Sequence, residues 1–151
     1  MFTFPIRIYW EDTDAGGIVF YANYLKFMER ARTEWLRSLG ISQQALKVQT
    51  GGMFVVTDTQ TQYLQPARLD NMLSVSAEII EKGRVSIKIK QEIRLQKHDQ
   101  PAQNMREALS IQEFSNNNLS LICQGTICIA WVDALTLKPG RIPVSVMEAL
   151  N

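Results

Sequence analysis

The chain has 151 residues, the length of one domain able to bury a core of its own. Hydrophobic residues make up 46% and charged residues 21%, and the formal net charge is +1. That balance excludes a disordered polyelectrolyte and gives no electrostatic case for binding nucleic acid or an anionic membrane.

Residues 4 to 10 alternate, with Phe4, Ile6, Ile8 and Trp10 on one parity, which predicts a strand. The acidic turn EDTDAGG follows, and Asn23 is the expected N-cap of a helix. From Tyr24 to Leu39 the residues Tyr24, Leu25, Met28, Ala31, Trp35, Leu36 and Leu39 form one helical stripe, opposite Lys26, Arg30, Glu34 and Arg37. Gly40 supplies the stop, and Arg30 and Glu34 are spaced to pair weakly.

Period two then takes over. Residues 53 to 64, LSVSAEIIEK after the turn QPARLDN, and RVSIKIKQEIRL after Gly83 all read as strands. In the last of these Val85, Ile87, Ile89, Ile93 and Leu95 share a parity opposite Ser86, Lys88, Lys90, Glu92 and Arg94, the pattern of an antiparallel sheet with one wet face. LSLICQGTICIAWVD is a further strand, apolar on both parities toward its end, as an interior or covered strand requires. Cys123 and Cys128 point to opposite faces of it, so they cannot bond to each other there, and two buried thiols are expected. PVSVMEAL predicts a short closing helix. The segment 96–118 is compatible with a lengthened hairpin or a helical excursion. Strands that run together after one helix indicate an α+β fold in a single domain, residues 1–151.

No Cys/His set has zinc spacing, and no metal or cofactor is expected. The one histidine, His98, falls in the polar Pro-containing segment and reads as a solvated loop residue rather than part of a nucleophilic triad. Gly16-Gly17 lacks the spacing of a phosphate or dinucleotide loop and reads as a tight turn. What remains is carboxylate chemistry at a helix start. Asp12 and Asp14 precede the long helix, whose first N–H groups lack internal partners and whose dipole is positive at that end. A carbonyl seated there would be polarised, and a carboxylate facing it could attack the carbon or activate water. On spacing alone, capping and turn formation are the favoured reading of these residues. Arg32 falls inside the apolar stripe and must be paired there. The expected partner is Asp12, Glu11 or Glu29, and a role in orienting the active carboxylate is the functional alternative. Glu29 at the stripe's edge reads as a solvated flank. Lys82, Arg84, Lys88 and Lys90 around the Gly83 turn read as a solvated sheet face, or as a docking site for phosphates.

The string WEDTDAGGIVFYANYLKFMERARTEWLRSLG resembles the signature of the 4-hydroxybenzoyl-CoA thioesterase family, and is nearest its Tol-Pal-associated acyl-CoA thioesterase branch. FVVTDTQTQYLQPARLDNMLSV and VDALTLKPGRIP extend the likeness over nearly the whole chain. The resemblance implies a hotdog fold, one long central helix wrapped by a curved antiparallel sheet of about five strands, paired edge to edge into a homodimer or homotetramer. It implies hydrolysis of an acyl-CoA, or of an acyl carrier protein thioester. The opening MFTFPIRIYWEDTD does not read as a signal peptide and no apolar stretch is long enough to span a bilayer, so the cytoplasm is the expected location. Asp14 matches the catalytic carboxylate, and Tyr21 matches the position whose backbone N–H holds the thioester oxygen. Gly17, Ile18 and Val19 would line the substrate site, and Lys82 and Arg84 would meet the coenzyme A phosphates. The pocket would need both subunits. The chain departs from many members of the branch in carrying Tyr21 where they have His, so no imidazole assists Asp14. It also differs in an apparent insertion from about Gln96 to Glu113. A non-catalytic module that binds acyl-CoA or acyl carrier protein is the alternative; a hydratase is disfavoured by the lack of a His near Asp14.

Overall fold

The structure is a computed structural model that describes residues 1–96 and 119–150. His98 and most of the apparent insertion lie outside the described residues. The elements, in chain order, are β1 (Phe2–Arg7), a 3-10 turn (Trp10–Asp12), α1 (Asn23–Ser38), α2 (Gln43–Thr50), β2 (Gly52–Tyr63), β3 (Met72–Lys82), β4 (Ser86–Gln96), β5 (Leu119–Asp133) and α3 (Val144–Ala149). The five strands form one antiparallel sheet in the order β1-β3-β4-β5-β2. β1 and β2 are therefore its edges, and Pro5 sits on an edge strand, where a missing N–H is tolerated.

α1 lies against the inner face of the sheet. Tyr24, Phe27, Met28 and Ala31 recur at helical spacing and are buried, and they join Ile87, Ile89, Ile93, Ile122 and Ile127 in one core. The buried stripe is turned toward Phe27, which the sequence reading did not include. Leu25 and Leu39 on its other flank stay 36% and 37% exposed as a result. Arg30 lies over the Phe27 ring, and Glu34 pairs with Arg37 rather than with Arg30. Gly40, at φ +78°, ends the helix as expected, and the Ile41 N–H returns to the Leu36 carbonyl at 2.9 Å.

Three further expectations change. The first strand ends at Arg7, not at residue 10, because the Asp12 carboxylate accepts the Tyr9 N–H at 2.8 Å and winds the chain into a turn. Trp10 is left exposed by that turn. The Asn23 side chain does not cap α1: it is buried and donates to the Asp12 carbonyl at 2.9 Å. The helix α2 was not anticipated; Ser42 caps its start and Gly51, at φ +69°, ends it.

The alternation of β4 is as expected. Lys88 pairs with Glu81, and Lys90 and Arg94 both reach Glu92 across the wet face. β5 is interior, between β4 and β2, which accounts for burial of both Trp131 and Val132. Cys123 is buried and Cys128 only half-buried, on opposite parities, and both are free. Gly52 is required where β2 starts, since a Cβ there would lie 2.3 Å from the Trp131 ring. No helix among the described residues is long and apolar enough to cross a membrane.

Candidate active site

The acidic turn and the start of α1 are stitched together by backbone. The Phe20 N–H donates to the Asp12 carbonyl at 2.9 Å, and Thr13 and Val19 form an antiparallel bridge. The Asp14 N–H donates to the Ile18 carbonyl, and Gly17 turns the chain at φ +74° while donating to the Asp14 carbonyl. Asp12, 6% exposed, holds the base of this loop through Tyr9 and Asn23. A second strut comes from the turn before β3. The Val19 N–H donates to the Ala67 carbonyl, and the Ala67 N–H donates to the buried Tyr24 hydroxyl at 3.0 Å. Burial pushes the Tyr24 phenol up from its ordinary value, and the Ala67 N–H offsets part of that rise.

The Asp14 side chain is exposed, and its Oδ1 accepts the Gly16 N–H at 2.8 Å, the bond of a turn-forming Asp. Tyr21 begins the approach to α1. Among the described residues the Tyr21 and Ala22 N–H groups make no hydrogen bond, and the N-cap residue Ala22 offers no side-chain acceptor. The positive end of α1 is therefore uncapped, next to a loop that carries a carboxylate. The Tyr21 ring is 63% exposed and lies against Phe20 at 4.8 Å and Tyr63 at 6.2 Å, with Tyr24 5.7 Å from Tyr63. This aromatic surface is what the last residue of the edge strand β2 adds to the helix mouth.

Gly17, Ile18 and Val19 lie on the same loop as Asp14; Ile18 is half-buried and Val19 buried. Lys82 and Arg84 do not join them. β3 starts beside the acidic loop, where the Ile8 N–H meets the Asn71 carbonyl, and Lys82 ends the strand ten residues later, roughly 30 Å away at strand rise. There the Lys82 ammonium donates to the Leu150 carbonyl at 2.8 Å, and the Arg84 carbonyl accepts the Ile142 N–H.

Arg32 corrects the sequence reading. Its Nη1 donates to Gln91 Oε1 at 2.7 Å, not to Asp12, Glu11 or Glu29. Gln91 is fully buried, and its amide donates to the Met28 and Ser76 carbonyls, both at 3.0 Å. Burial lowers the Arg32 pKa from its usual range, and the charge of Glu29 opposes that fall. Glu29 itself is exposed, as expected, and accepts the Thr33 hydroxyl. The signal for Gln91 was present in the chain as a lone amide on the apolar parity of β4. No cluster of three or more His, Cys, Asp or Glu among the described residues is arranged to hold a metal.

The family model for the Thioesterase superfamily matches residues 16–102. The acyl-CoA thioester hydrolase YbgC of Escherichia coli is 36% identical over 147 residues, covering 97% of this chain and 93% of its own length. The acyl-CoA thioesterase YbgC of Haemophilus influenzae is 36% identical over 150 residues, covering 99% and 94%. A 4-hydroxybenzoyl-CoA thioesterase solved with 4-hydroxybenzoyl-CoA superposes with a TM-score of 0.81 over 99% of this chain and 97% of its own, at 17% identity. That likeness is one of fold, and it identifies the helix-and-sheet arrangement as a hotdog.

Proposed function

The chain belongs to the thioesterase superfamily, and on that premise we propose that it hydrolyses an acyl-CoA thioester to the free acid and coenzyme A. The observation that carries the reading is the uncapped mouth of α1 at Tyr21 and Ala22, bridged to the loop of Asp14. The Tyr21 N–H donates to the developing oxyanion, a contact worth about 3 kcal/mol in such sites. Asp14 acts as nucleophile or as general base. As base, Asp14 takes a proton from a water that adds to the carbonyl carbon, the C–S bond breaks, and the proton passes to the departing coenzyme A thiolate; as nucleophile, its oxygen displaces that thiolate to give a mixed anhydride, which water then opens to the free acid and the restored carboxylate. The hydrogen bond from Gly16 engages one carboxylate oxygen of Asp14, and the second has no partner among the described residues.

The reading requires two copies. Gly17, Ile18 and Val19 line the mouth, while Lys82 and Arg84 meet the coenzyme A phosphates. The latter pair lies at the far end of the sheet, so in one chain it cannot serve the same substrate. Antiparallel pairing of two β2 edges about a two-fold axis brings the far end of one sheet toward the mouth of the other, and it covers an unpaired strand edge. The assembly is a homodimer, or a homotetramer of two such dimers, and the thioester is carried by coenzyme A or by an acyl carrier protein.

The test is thiol release across short, long and aromatic acyl-CoAs by the wild type and by Asp14→Asn. The expected loss is about 10²–10⁴-fold, with an unchanged thermal midpoint. Near-normal turnover by the variant removes Asp14 from the chemistry. Measurable acyl-CoA binding without any turnover in the wild type assigns a binding module instead.

A further inference from the structure

A cavity of about 130 Å³ lies between the C-terminal half of α1 and the start of β2, away from the acidic loop. Trp35, Leu36, Phe54, Val56 and Ile89 give it apolar walls, and Arg32 is set among them. Arg32 spends one of its five N–H donors on Gln91, and among the described residues it makes no other hydrogen bond and no ion pair. Gln91 cannot turn to offer more, since its amide is tied to Met28 and Ser76. Glu29, one helical turn back, also borders the cavity; its charge reaches Arg32, yet its carboxylate is exposed and bonded to Thr33. A half-buried guanidinium with one neutral partner lacks the anion that such a group usually meets. An apolar pocket with a few polar groups is the ordinary form of a small-molecule site.

We propose that this cavity holds the anionic end of the acyl group, with Arg32 as a specificity-determining residue, so that the preferred substrates are short acyl-CoAs ending in a carboxylate. The volume is that of about four waters at roughly 30 Å³ each, which suits a carboxylate and the few carbons beside it. The proposal rests on the thioesterase reading and on the β2 pairing above. Arg32 is eleven residues along α1 from Tyr21, about 16 Å at helix rise, which is too far for a short acyl group within one chain. A two-fold axis at the middle of Gly52–Tyr63 sets Phe54 of one copy across from the far end of the same strand in the other, where Tyr63 touches Tyr21. The cavity of one copy then adjoins the helix mouth of its partner.

Glutaryl-CoA and pentanoyl-CoA share a chain length and differ in the terminal carboxylate. The wild type is expected to favour glutaryl-CoA by about tenfold or more in kcat/KM. Arg32→Gln should abolish that preference, chiefly through KM, and Arg32→Lys should restore part of it. A wild type that hydrolyses pentanoyl-CoA as well or better, or an Arg32→Gln variant with the preference intact, overturns the proposal and leaves the thioesterase reading standing. If neither ester is cleaved while another acyl-CoA is, the proposal is overturned; if no short, long or aromatic acyl-CoA is cleaved, the thioesterase reading fails, and binding alone decides the cavity. Millimolar glutarate should then shift the indole N–H resonance of Trp35 in the wild type and not in Arg32→Gln, and no shift in the wild type overturns the proposal.

Discussion

The Asn23 side chain donates to the Asp12 carbonyl across 2.9 Å, and so the first residue of α1 holds the base of the loop that carries Asp14. The same carbonyl accepts the Phe20 N–H, which makes Asp12 the point where acidic turn and helix approach meet.

Replacing Asn23 by Leu removes one of these two bonds and keeps the side-chain volume. A stability loss of about 1 kcal/mol is expected, which is about 2–4 °C in Tm for a chain of this size. Activity should fall further than stability suggests, in kcat more than in KM, because the loop and the helix mouth lose their common anchor. Steady-state kinetics on any cleaved acyl-CoA checks this, and an unchanged kcat would make the bond purely structural.

Gln91 serves three partners from a fully buried site. Gln91→Leu strands the Arg32 guanidinium and takes a donor from the Ser76 carbonyl. The expected cost is about 2–3 kcal/mol, measured by urea unfolding. Arg32→Met in the Gln91→Leu background should recover part of that loss, because the stranded charge is gone. Additive losses in the double variant would mean that the two side chains do not depend on each other.

Burial pushes the Cys123 thiol from an ordinary 9.0 up to about 11. Below 9 the folded and unfolded chains both keep this proton, and the contribution to stability is complete. Between 9 and about 11 the unfolded chain loses the proton first, so stability falls as pH rises through that window. Cys123→Ala should unfold with a shallower pH slope from pH 8 to 11, and equal slopes would contradict the assignment. At pH 8 a small alkylating reagent should label the half-buried Cys128 well before Cys123.

Local patterns carried much of the architecture. The 3.6-residue period of α1, the period-two alternation of β4 and the stop at Gly40 are properties of short stretches, and each was legible as such. The acidic turn before a helix also marked the place of the candidate site, since the uncapped N–H groups of a helix start follow from backbone geometry. The role of the side chains there was not legible from spacing, because an Asp before a helix forms a turn and faces a substrate with the same sequence signature.

Only the tertiary structure decided what depends on contacts between distant segments. Asn23 has the composition of a cap, but the Asp12 carbonyl, eleven residues away, offered its amide a buried acceptor. Arg32 was expected beside a carboxylate, and it met Gln91, fifty-nine residues on, because β4 passes directly beneath that helical turn. The strand order leaves β2 as a bare edge and sends Lys82 to the end of the sheet opposite Asp14. No local period encodes such an order, since it is set by which apolar faces must be covered together.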